Sequence, residues 1–101
     1  MASYELSPEA VNDLLKIQDF ISTDNPVAAE LLIEEFFSAF ELLANWPGSG
    51  HSRTDLTAKR VLFWPIDSYL IVYHVREDDR LVEIVAVLHS ARDIPTVLED
   101  R

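Results

Sequence analysis

Residues 60–89 read RVLFWPIDSYLIVYHVREDDRLVEIVAVLH. Three runs within it, Arg60–Trp64, Ser68–Val75 and Arg80–His89, are dense in β-branched and aromatic residues, which suit a pleated, half-buried surface. Two short breaks divide them, Pro65-Ile66-Asp67 and Glu77-Asp78-Asp79. This spacing predicts a meander of three antiparallel strands joined by tight turns. Both faces of the meander are apolar. Tyr69, Ile71, Tyr73 and Val75 alternate with Leu70 and Val72; Val82, Ile84, Ala86 and Leu88 alternate with Leu81, Val85 and Val87. An antiparallel sheet usually leaves one face polar, so the second face needs a cover. Two sources stay open: a partner outside this chain, or the C-terminal tail lying over a sharply twisted sheet.

Upstream the period changes from two to the helical 3.6. Ser7-Pro8 reads as an N-cap followed by proline at the first helical position, and Val11, Leu14, Leu15, Ile17 and Ile21 follow at helical spacing. That predicts a helix from Pro8 to Ser22. Asn25-Pro26 repeats the signal, and Ala29, Leu32, Ile33, Phe36, Phe40 and Leu43 carry a second helix from Pro26 to Asn45. The short link makes the two an antiparallel hairpin. Phe36, Phe37 and Phe40 read as core or interface. Tyr4 and Leu6 alternate in SYELS and predict a short strand before the helices. The expected class is α+β: one domain spanning 1–101, its N-terminal strand and two-helix hairpin packed on an antiparallel sheet.

Trp46-Pro47-Gly48-Ser49-Gly50 ends the second helix and holds both glycines of the chain, which predicts a turn with unusual backbone angles. The polar segment HSRTDLTAK after it is the longest loop. At the other end, Pro95 in ARDIPTVLEDR argues against further strand pairing.

The charge is uneven. The net charge is −10, yet residues 1–50 hold one base, Lys16, against nine acids, while residues 51–101 hold seven bases against nine acids. The first half, at −8, repels nucleic acid and attracts a basic partner; any anion-binding surface must come from the arginines of the second half, at −2. No cysteine is present, which excludes disulfides, a thiolate nucleophile and Cys-ligated zinc. His51 and His74 have no acidic or histidine neighbour at ligand spacing, so neither a metal nor a cofactor is expected. The start MASYELSPEA lacks the basic and apolar segments of a signal peptide, and no apolar run matches a bilayer, so a cytoplasmic location without membrane contact is expected.

Several pieces together resemble one family. LSPEA, the DNP break, WPGSGHSRTDL, the R-x-L-x-W-P of Arg60–Pro65, YLIVYHV and the V-L-H-x-A-R-D of Val87–Asp93 resemble, in order and spacing, the ParE/RelE toxin superfamily of bacterial type II toxin–antitoxin systems. The closer match is the ParE, or plasmid-stabilisation, branch. The resemblance implies a toxin that inhibits growth and a cognate antitoxin whose C-terminal segment wraps it into a hetero-oligomer. In the ParE branch the target is DNA gyrase, reached by protein contact without a hydrolytic site. In the RelE branch the toxin is a ribosome-dependent messenger endoribonuclease, with ribosome and mRNA as partners. No sequence-specific DNA binding by the chain alone is implied.

Residue chemistry bears on the choice. RNA cleavage needs a base, an acid and a cation for the phosphate. His89 offers acid–base chemistry, Arg60 and Arg92 offer forked phosphate donors, and Tyr73 offers an auxiliary hydroxyl. If Arg60 begins one strand and His89 ends another, they meet at one sheet edge. Under the binding reading, Arg53, Tyr69, Tyr73, His89, Arg92 and Asp93 contact target or antitoxin. Under a structural reading, Asp93 pairs with an arginine and caps the end of the sheet. Approach to a dense RNA surface uses basic patches, which a net −10 opposes, so the sequence favours gyrase poisoning over messenger cleavage. An inactive member that only binds antitoxin stays open.

Overall fold

Both long helices begin where capping chemistry sets them. In the computed structural model, which describes residues 3–78 and 80–101, α1 spans Pro8–Ser22 and α2 spans Pro26–Asn45. The Ser7 hydroxyl accepts from Ala10 N at 3.0 Å, and Asn25 Oδ1 accepts from Ala28 N at 3.0 Å. Each cap satisfies a donor that the first turn leaves orphaned, worth about 1 kcal/mol. A short 3-10 turn at Pro47–Ser49 follows α2. The strands are β1 (Tyr4–Leu6), β2 (Leu62–Ile66), β3 (Tyr69–Val75) and β4 (Val82–His89), and α3 spans Ile94–Glu99. The class is α+β, as expected.

The sheet order is β1-β4-β3-β2. The meander β2–β3–β4 is antiparallel, but β1 lies parallel to β4, with Tyr4 opposite Val82 and Leu6 opposite Ile84. The sheet is therefore mixed. A three-residue strand carries no sequence cue to its direction; the return path through the helix hairpin decides it. Pro65 sits inside β2 rather than in the turn. Phe63 exchanges both backbone hydrogen bonds with His51 on the outer side of β2, so residues 63 and 65 turn their backbone outward. A missing N–H is harmless there and blunts the sheet edge. The turn shrinks to Asp67-Ser68, with Asp67 at φ 52°. Asp79, assigned from sequence to the second turn, lies outside the described residues.

Two apolar layers sandwich the sheet. On one side Leu14, Phe36, Phe40 and Leu43 of the helices pack on Ile71 and Ile84. On the other, Ile94 and Leu98 of α3, with Leu56 and Val61 of the long loop, cover Phe63, Val72, Ala86 and Leu88. Lys59 Nζ donates to the Leu98 carbonyl at 2.5 Å and ties loop to helix. Of the two covers left open by the sequence, the C-terminal segment is the one found, folded as a helix with Pro95 in its first turn, where proline is tolerated.

Apolar surface left open lies instead on the hairpin. Val11 and Leu15, read from sequence as part of the buried stripe, are exposed, as are Phe20, Val27, Leu31 and Leu42; Trp46 keeps 70% of its surface open. The buried line of α1 runs through Ala10, Asp13 and Leu14. Among the described residues no helix is long and apolar enough to cross a membrane.

Candidate functional site

Strand pairing sets one cluster at the far end of β3 and β4. Tyr69 stands opposite His89, their rings 5.2 Å apart and edge-on at 80°. His89 Nδ1 accepts from Ala91 N at 3.0 Å, so the neutral ring carries its proton on Nε2. Arg92 lies in the bend after β4 and is exposed. Together with Lys16, Ile17 and Phe20 of α1, Tyr69, His89 and Arg92 line a groove of about 370 Å³. Asp93 does not pair with an arginine. Its Oδ2 accepts from the Thr96 hydroxyl at 2.8 Å at the start of α3, so it serves that helix locally.

The other expected residues lie elsewhere. Leu62 pairs with Tyr73 and Ile66 with Tyr69, while Tyr69 pairs with His89. Arg60, two residues before β2, is therefore at the opposite end of the sheet from His89. Six residues of strand separate them along the sheet, roughly 20 Å at the usual rise. They do not meet at one edge. Arg53 forks onto its neighbour Asp55, at 2.9 and 2.8 Å, in the exposed loop. Tyr73 is wholly buried; its hydroxyl donates to the Pro47 carbonyl at 2.7 Å and accepts from Gly50 N at 2.8 Å. Burial raises its pKa, offset in part by the Gly50 N–H. With its hydroxyl engaged on both sides, Tyr73 holds the glycine loop and offers nothing to a ligand.

That contact also corrects the reading of the glycines. Gly50 has φ −73°, and neither glycine has a positive φ. Space is what requires glycine here: a Cβ at Gly50 would stand 2.5 Å from the Tyr73 hydroxyl oxygen.

An ion pair inside the molecule was not legible. Asp13, 5% exposed, receives both forks of Arg101, at 2.6 and 3.0 Å, and accepts from Val87 N at 3.0 Å. β1 stops at Leu6, which leaves the edge of β4 unpaired beyond Ile84. Asp13 satisfies the Val87 donor, and the Ser7 hydroxyl donates to the Val85 carbonyl at 3.2 Å. Side chains thus complete the ladder where the strand ends. One sequence signal existed: Asp13 falls three residues after Ala10 and four before Ile17, on the buried face.

A second groove, of about 520 Å³, runs between α2 and the edge strand β2. Leu31, Leu42, Trp64 and Ile66 give it apolar walls, and Glu34 and Glu35 stand at its rim.

A two-helix hairpin on one face of a four-stranded mixed sheet, with a short C-terminal helix on the other, is the α+β architecture of a type II toxin. The family model described as "ParE toxin of type II toxin-antitoxin system, parDE" matches residues 4–94, and the chain belongs to that family. It is 34% identical over 92 residues to toxin RelE2 of Caulobacter vibrioides, a match covering 91% of this chain and 99% of that relative. The solved "Chromosomal ParDE TA system from P. aeruginosa" has the same fold, with a TM-score of 0.70 over 88% of this chain and 96% of that one, at 16% identity.

Proposed function

We propose that this ParE-family toxin arrests growth by binding and poisoning DNA gyrase in the cytoplasm, and that a cognate antitoxin neutralises it. The observation that supports protein contact over messenger cleavage is the dispersal of the candidate catalytic groups. Arg60 and His89 occupy opposite ends of the sheet, and the Tyr73 hydroxyl is consumed inside the fold. The net charge of −10 points the same way, because RNA approach draws on basic surface. The antitoxin reading is supported by the exposed apolar side chains of the hairpin and by the α2–β2 groove with its glutamate rim. An apolar helix or strand carrying basic residues fits that surface. Pro65 and the His51–Phe63 bridge blunt the β2 edge, so side-chain packing rather than strand addition suits this groove.

The test is controlled expression without antitoxin, following growth, DNA breaks and messenger integrity together. Arrest with gyrase-dependent breaks and intact messenger is expected. Arrest with codon-positioned messenger cuts would transfer the chain to the ribonuclease reading, and absence of arrest from folded protein would leave only antitoxin binding.

A further inference from the structure

We propose that the groove between α1 and the far ends of β3 and β4 recognises an acidic, apolar peptide segment of a protein partner. One carboxylate is held between Lys16 and Arg92, and its aliphatic or aromatic neighbours rest on Ile17 and Phe20. This contact is independent of the gyrase reading, and it is opposite in sign to the surface assigned to the antitoxin.

The partnering of the basic residues points there. Arg53 is forked onto Asp55, Arg76 stands 3.6 Å from Glu83, Arg101 is locked on Asp13, and Lys59 is spent on the Leu98 carbonyl. Lys16, Arg60, Arg80 and Arg92 have no such side-chain partner among the described residues, and of these four Lys16 and Arg92 line one groove together. In a chain of net charge −10, two uncommitted cations facing a shared space are where an anion is held. Asp13 at the inner end does not oppose this, because both its oxygens are already bound by Arg101. His89 adds a donor, since its Nδ1 is occupied by Ala91 N and its Nε2 carries the proton.

The lining selects the carrier of the charge. Ile17, Val87 and Phe20 give an apolar floor, and Phe20 is 77% exposed, surface that an apolar neighbour of the carboxylate would bury. Nucleic acid is disfavoured on two counts. The helix half that forms one wall has one base against nine acids, which repels a polyanion. Of the groove's rings, Tyr69 and His89 stand edge-on to each other, which leaves Phe20 as its one broadly exposed ring rather than a row of platforms for successive bases.

The experiment titrates the 15N-labelled full chain with three probes. These are acetyl-Ser-Phe-Glu-Leu-Ser-amide, its Glu-to-Gln analogue, and an eight-nucleotide thymidine oligomer. Saturable shifts at Lys16, Phe20, Tyr69, His89 and Arg92 are expected with the Glu peptide, with the Gln peptide about fivefold weaker, the upper range for an exposed charge pair. The double variant Lys16→Gln/Arg92→Gln should erase the difference between the two peptides while shifts elsewhere in the spectrum stay put. Both side chains are exposed, so the core is untouched, and the single variant Arg92→Gln should halve the effect on a logarithmic scale. Equal binding of the two peptides, no saturable shift at this groove, or tighter binding of the oligonucleotide there would each overturn the proposal.

Discussion

Gly50→Ala is expected to be one of the most damaging single-methyl additions in this protein, for reasons of space alone. An added Cβ would meet Tyr73 at 2.5 Å from its hydroxyl oxygen, 2.7 Å from Cε1 and 2.9 Å from Cζ. Tyr73 cannot yield cheaply: it is 0% exposed and clamped by bonds of 2.7 Å to the Pro47 carbonyl and 2.8 Å from Gly50 N. Overpacking of this kind costs about 1–3 kcal/mol, and loosening either buried hydrogen bond adds about 1 kcal/mol. The expected loss is roughly 2–4 kcal/mol, which for a domain of this size lowers Tm by about 10–20 °C. Gly48 is the internal control, because nothing lies within 4 Å of its would-be Cβ and its φ is not positive. Gly48→Ala should be neutral or stabilise by up to about 1 kcal/mol through the unfolded state. Urea unfolding of both variants decides. The pair Gly50→Ala/Tyr73→Phe should fall short of additivity by at least about 0.5 kcal/mol, since both changes break the same bonds. A Gly50→Ala variant within about 0.5 kcal/mol of wild type, or equal losses at Gly48 and Gly50, would refute the steric account.

Other expectations follow from the same structure. Tyr73 has a raised pKa in the fold. Its contribution is fully present below the unfolded value near 10 and is lost as pH rises through that value toward the folded one, so unfolding should become easier above about pH 10. Tyr73→Phe should remove that alkaline limb, which urea titrations between pH 8 and 11 would reveal. Removing one partner of the Asp13–Arg101 pair leaves a buried charge alone. Asp13→Ala should cost about 3–5 kcal/mol, and a double-mutant cycle with Arg101→Met should return a large coupling without full recovery, because Val87 N stays unpaired. Leu31→Glu in the α2–β2 groove should weaken antitoxin binding without unfolding the exposed helix face, and added salt should weaken the wild-type complex. A salt-insensitive affinity would remove the electrostatic part of that contact.

Local chemistry made the helices and the meander readable in advance. Ser7-Pro8 and Asn25-Pro26 carry their own caps, and the alternation in SYLIVYHV needs no distant residue to be recognised. The ParE/RelE resemblance was legible for the same reason, because its pieces are runs of contiguous residues. The candidate site was legible only in part. Tyr69, His89 and Arg92 do share a groove, but Lys16, which completes it, comes from a helix 53 to 76 residues earlier, and Arg60 lies at the other end of the sheet. Asp13 stands in sequence among apolar neighbours at helical spacing, and its partners, Arg101 and the bare edge of β4, come from the far end of the chain.

The sequence by itself determined the two long helices and their ends, the presence of the four strands, the apolar character of both sheet faces and the acidity of the helix half, since each depends on residues a few positions apart. Tertiary structure alone decided the direction of β1, the folding of Ile94–Glu99 over the second face, the outward turn of Pro65 and the crowding that demands glycine at position 50. These depend on which strand lies beside which and in what register. That choice is made by burying the most apolar surface and pairing every backbone group at once, a condition on the whole chain that no single stretch encodes.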